Sequence, residues 1–298
     1  MTREKTGLTR RDFMKGVGGV ALGMTAGLPS AQSAETKQTG SSKVILVRNG
    51  DVISGTRDID SELVQAMLDE AMVALFGHED PSDCWKQIIR PNDVVGIKTN
   101  VWRYLPTPPS VEQAIRRGVL QAGVPERNID QGDRDVLQKE VFQRSTALIN
   151  TRPMRTHSWS GVGGLIKNYI TFDHPPDYHA DACASLAKLW ELPIVKDKTR
   201  LNVLVMLTPQ FHNIGPHHFD TSYIWPYGGL IVSTDPVAAD AVGLQILQQK
   251  RRLEFGAGRP LQPTAHHIAL ADTEYHLGSA DMGKIELVRL GWEEGSLI

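Results

Sequence analysis

From residue 43 to residue 290 the chain alternates between short apolar runs and stretches whose apolar residues recur at helical spacing. That alternation restricts the fold more than any single motif does. Lys43–Arg48, Asp93–Lys98, Ala147–Asn150, Leu201–Leu207 and Leu230–Ser233 are short and apolar enough for buried strands. Ser61–Phe76 carries Leu63, Val64, Met67, Met72, Val73 and Leu75 as one amphipathic helix with Asp60 or Ser61 as its cap. Ser110–Ala122 is the next helix, with Gly123 as its stop. Gly163–Tyr169, Ala182–Trp190 and Pro263–Ala271 read as further helices. Asp235-Pro236 opens a long one to about Arg251, with proline in the first turn, where a missing amide costs nothing. Lys284–Leu290 alternates like an edge strand. Strands in turn with helices predict an α/β fold: a mixed, mostly parallel sheet with helices on both faces.

Ahead of this region, Arg10 and Arg11 are followed by Phe13, Lys15 and an apolar run from Val17 to Ala26. The segment resembles a twin-arginine export signal, and its run is too short and too rich in glycine to span a bilayer. Small residues from Pro29 to Ala34 supply a cleavage site after Ser33 or Ala34. The expected organisation is a signal at 1–34, a flexible polar leader at 35–42 and a single α/β domain at 43–298. Its implied partner is the twin-arginine translocation machinery, and its implied location is the periplasm or another extracytoplasmic space. Cargo on that route is already folded when it crosses, which suits a protein loaded with a cofactor, metal or partner inside the cell.

The net charge is −2, and the first 34 residues hold five basic and two acidic groups, so their removal leaves a more acidic remainder. With no long basic run, nucleic acid and anionic membranes are not the expected partners. No later apolar stretch approaches the roughly 20 residues of a membrane span, so no stable membrane insertion is expected after signal removal. Cys84 and Cys183 are the two cysteines, and neither sits in a C-x-x-C, which excludes a cysteine-ligated iron-sulfur cluster. Their pairing is open between one disulfide and two buried thiols.

In an open α/β sheet, ligands bind beyond the carboxyl ends of the strands. Lys98-Thr99-Asn100 follows one predicted strand, and Thr151-Arg152-Pro153-Met154-Arg155-Thr156-His157 follows another. A glycine-rich stretch then leads to Lys167 and Asn168. Cations and amides so placed suit a carboxylate, phosphate or similar small anion. The glycines match neither the P-loop nor the dinucleotide fingerprint. Lys98 and Lys167 would hold the anion with Asn100, Asn168, Arg152 and Arg155, and His157 would be the acid or base. A second group, His212, His217, His218 and Asp220, lies on a loop after Leu207 and offers metal-ligand chemistry; hydrogen-bonded loop histidines are the other reading. His266 and His267 have a weaker case as ligands. Asp235 reads as a helix cap. Asp240 lies among small apolar residues and needs a partner if buried, for which Lys98 or Lys167 is expected.

Val94–Asn100, Leu148–Ser158, Gly163–Asn168 and Ser233–Val242 occur in that order, and together they resemble the bacterial and archaeal family called domain of unknown function 362. The resemblance covers most of residues 43–290. It implies an α/β domain with export or redox associations, and it carries over Lys98, Asn100, His157, Lys167, Asn168, Asp235 and Asp240. Many similar proteins bear cluster cysteines that this chain lacks. The expected function is that of an exported cofactor- or metal-dependent enzyme, redox type favoured, acting on a small anionic ligand; Lys98, His157 and Asp240 are its catalytic candidates. The alternative is a non-catalytic periplasmic binding or cofactor-carrier protein. The cofactor is not specified by the sequence.

Overall fold

The computed structural model describes residues 41–55, 58–213 and 218–298. The twin-arginine segment, most of the leader and His217 lie outside the described residues. Ser42, expected at the end of the leader, is buried and begins the first strand.

The strands are β1 (Ser42–Arg48), β2 (Ile53–Ser54), β3 (Asp58–Ile59), β4 (Val95–Lys98), β5 (Ile129–Gly132), β6 (Ala147–His157), β7 (Gly161–Gly163), β8 (Thr199–Gln210), β9 (Gly229–Ser233) and β10 (Ile285–Gly291). Among the described residues eight of them form one sheet, ordered β10-β1-β9-β8-β6-β4-β5, with β7 paired to the far end of β6. Four of its seven pairings are parallel and three antiparallel, so the sheet is mixed and mostly parallel, as its sequence pattern predicts. The apolar residues of each strand alternate between two cores. Ile45, Val47, Ile97, Ile149 and Val203 face the helices Ser61–Phe76, Pro81–Ile88 and Pro109–Gln121. Leu46, Leu148, Met154 and Leu204 face the helix Pro236–Phe255 and the irregular segment after β7. Cys84 belongs to the first core and Cys183 to the second, and both are free thiols.

Local chemistry explains the element ends. Asp60 caps its helix by accepting from the amides of Glu62 and Leu63, and Gly77 closes it at φ +79°. Asp235 caps the long helix through Val237 and Ala238, and its second oxygen accepts from Ser42 Oγ and the Ser279 amide, tying the helix start to β1.

The largest departure from the sequence pattern is β6. The residues after Asn150 are polar and include a proline, so they read as loop. They continue as strand to His157 because Thr151–Pro153 and Arg155 pair with β8 and Arg155–His157 pair with β7. Pro153 is tolerated in this central strand because the register shifts between Pro153 and Arg155, at a bulge. The cations therefore project from rigid sheet. The region read as a helix over Ala182–Trp190 is only a short 3-10 turn, Leu186–Glu191.

Candidate functional site

β4, β5, β6 and β8 run parallel, so the ends of β4 and β5 and the long extension of β6 bring their polar residues to one region. Lys98 closes β4 with no exposure at all. Its Nζ donates to Asp133 Oδ1 at 2.6 Å, the Thr99 carbonyl at 2.8 Å and Asn168 Oδ1 at 3.5 Å. Burial pulls the Lys98 pKa down to about 8, with Asp133 opposing it. Burial would raise the Asp133 carboxyl, but contact with Lys98 holds it below the usual range. Asp133 follows β5, a strand with a single apolar residue, and the sequence reading passed over it.

Arg152 and Arg155 project from β6 at 2% and 6% exposure. Neither Nε has a hydrogen-bond partner among the described residues. The Arg155 guanidinium lies 4.1 Å over the Trp102 ring, and burial followed by Arg152 drives its pKa well below the normal value. Burial lowers Arg152 to about 10 against the pull of Asp133 and Asp240. Gly163 gives Arg152 room, since a Cβ there would come within 2.6 Å of the guanidinium.

His157 ends β6, and its Nδ1 accepts from the Trp159 amide at 3.3 Å. Burial, then Lys167, Arg155 and Arg152, depresses its pKa far below the ordinary range, so the ring is neutral. Lys167, on the short helix Leu165–Asn168, is 3% exposed. Its Nζ lies 3.0 Å from His179 Nε2 and 3.3 Å from Cys183 Sγ. Ala182 and Cys183 both hold positive φ, a strained backbone that sets the thiol against the amine. His179 stacks under Trp159 at 4.3 Å between ring centroids, and burial lowers its pKa to about 4.

Lys98, Arg152, Arg155, His157 and Lys167 are all buried and act on one another through their charges. Other candidates are held differently. Asn168 gives its amide hydrogens to Asn150 Oδ1 and to the carbonyls of Lys98 and Thr151, so it braces the site from within. Asn100 shapes a loop by accepting from the Trp102 amide. Asp240 is fully buried, as expected, but its partner is not a lysine. Its two oxygens take the amides of Leu165 at 2.7 Å and Ile166 at 2.9 Å, which fixes the amino end of the helix carrying Lys167. Burial nevertheless raises its pKa to about 6.

His267 is the residue that sequence reasoning undervalued. It is 1% exposed, and both of its ring nitrogens lack a partner among the described residues. Burial, then Lys167 and Arg152, lowers its pKa to about 3, which places a neutral imidazole beside the cations. Its only sequence signal is a histidine on the apolar side of the helix His266–Thr273, next to Ile268.

The described members of the loop set are engaged separately. His212 Nδ1 meets Arg251 at 3.1 Å, Asp220 caps the turn Thr221–Tyr223 through Ser222, and His218 is exposed. Among the described residues no three histidine, cysteine or acidic side chains gather as a metal site.

Four buried cations, Lys98, Arg152, Arg155 and Lys167, face two buried carboxylates, Asp133 and Asp240. Residues 124–245 match the family model described as Domain of unknown function (DUF362). The DUF362 stretch includes Asp133, Arg152, Arg155, His157, Lys167 and Asp240. Lys98, Asn100 and His267 lie outside it, so the match is narrower than the resemblance implied. No curated protein and no solved structure matches the chain.

Proposed function

We propose that this is an exported α/β enzyme that binds and transforms a small dianionic molecule at the Lys98–Arg152–Arg155–Lys167 cluster. One observation carries the reading: two buried guanidiniums on the sheet have no acidic partner within bonding distance among the described residues. Burying an unpaired cation is costly, and a bound carboxylate or phosphate would offset that cost with charge-assisted, bidentate bonds. His157, His179 and His267 surround the cations as neutral rings, and such groups can accept or donate a proton once a ligand changes their field.

Export by the twin-arginine machinery rests on the Arg10-Arg11 segment. Replacing both by lysine is expected to leave the precursor in the cytoplasm, because the receptor reads guanidinium geometry as well as charge; cell fractionation checks this, and normal export would remove the proposal. No helix among the described residues is long and apolar enough to cross a membrane. The binding claim is tested by native mass spectrometry and elemental analysis of protein purified anaerobically from the exported fraction. A stoichiometric small acid, lost in Arg152→Met, is the expected result. A ligand-free protein with no affinity for oxalate, phosphate or citrate would contradict it.

A further inference from the structure

The two buried lysines of this cluster are both lowered to about 8 by burial but have different partners. Lys98 directs its hydrogens at the Asp133 carboxylate, the Thr99 carbonyl and the Asn168 amide oxygen. Lys167 is equally buried but has no carboxylate partner among the described residues; it meets only the imidazole Nε2 of His179 and the thiol of Cys183. Burial raises the pKa of that thiol, and contact with Lys167 opposes the rise. Burial, opposed by Cys183 and aided by the charges of Arg152 and Arg155 on β6, brings Lys167 to about 8. A desolvated amine beside other cations is the arrangement that makes lysine a nucleophile near neutral pH.

The same arginines define what the amine would meet. Arg152 and Arg155 act through their charge on both Lys167 and His157, so a carboxylate bound by the two arginines would lie near the amine. We propose that Lys167 forms an imine with a 2-oxo acid whose carboxylate is held by Arg152 and Arg155. The proposal rests on the anion-site reading and names its substrate class. The neutral amine donates its electron pair to the carbonyl carbon, forming the C–N bond, while the C=O π pair moves to oxygen and is protonated. The carbinolamine then loses its hydroxyl, with a proton, as water, leaving C=N; no electrons are exchanged with an outside reagent. His179, half-buried beneath the exposed Trp159, links the amine to solvent for these proton movements.

The test is reductive trapping. The purified exported protein is incubated with glyoxylate, pyruvate or 2-oxoglutarate and cyanoborohydride, then digested and mapped by mass spectrometry. The expected product is one adduct at Lys167, of the mass of the oxo acid less one oxygen, formed ahead of exposed lysines such as Lys86 and Lys284. Lys167→Arg keeps the cation but cannot form the imine, so it should lose the adduct. If the variant misfolds, mapping of the wild type alone decides. Oxalate binding with no preferred adduct at Lys167 from any of the three acids, or with the adduct at Lys98, overturns the imine and leaves the anion site standing. Absence of both binding and adduct overturns the two together.

Discussion

Asp240 shows how a buried charge is matched by the backbone instead of a side chain. Its carboxylate holds two amides that would otherwise be orphaned inside the protein. Asp240→Ala is therefore expected to destabilise the fold by about 2–4 kcal/mol, the cost of two unsatisfied buried donors less the relief of removing a buried charge. Urea denaturation midpoints check this, and an unchanged midpoint would remove Asp240 as an anchor of the Lys167 helix. The lysines carry a pH prediction. Both have folded pKa values of about 8, below the value for a free lysine, so each loses its charge earlier in the folded protein than in the unfolded chain. Raising the pH through 8 removes positive charge from a site that also faces Asp133, Arg152, Arg155 and three neutral histidines. Dianion affinity should fall over that interval, while the two lysines' contribution to ligand-free stability should rise between pH 8 and their unfolded value. Calorimetry and denaturation across the same buffers give the two slopes, and parallel slopes would contradict the assignment.

At the scale of elements, the sequence made long amphipathic helices and apolar strands visible, and hid what depends on pairing. The helices Ser61–Phe76 and Pro236–Phe255 were legible from apolar spacing and capping aspartates. β5 was not, because Ile129-Asp130-Gln131-Gly132 has no apolar pattern and is a strand only by its pairing with β4. With β5 unseen, Asp133 and its ion pair with Lys98 were unseen too. The extension of β6 was hidden for the same reason, although its cations were found, since charged residues after an apolar strand mark a sheet edge whether they lie on loop or strand. Helix packing gives a prediction independent of the site. A Cβ on Gly118, in Pro109–Gln121, would sit 2.0 Å from the Trp85 ring of Pro81–Ile88. Gly118→Ala should cost about 1–3 kcal/mol through overpacking and leave anion affinity unchanged, because those helices cover the opposite face of the sheet.

Over the described residues as a whole, the eight-stranded sheet separates two apolar cores, and the cationic cluster lies at the carboxyl ends of its parallel strands. The fold class was readable because alternation of elements is a property of the whole chain. The net charge was no guide to the site, since a mildly acidic chain conceals a site with four buried cations. The central claim is that those cations exist for an anion, and calorimetric titration of oxalate and phosphate tests it most directly. The account predicts binding of one equivalent to the exported protein, weakened at least about tenfold in Arg152→Met and in Arg155→Met. Each substitution should also raise the ligand-free denaturation midpoint, because a buried unpaired cation has been replaced by an apolar side chain. Equal affinity in all three proteins, or lower midpoints with no binding in any, would show that the arginines are structural and would contradict the account.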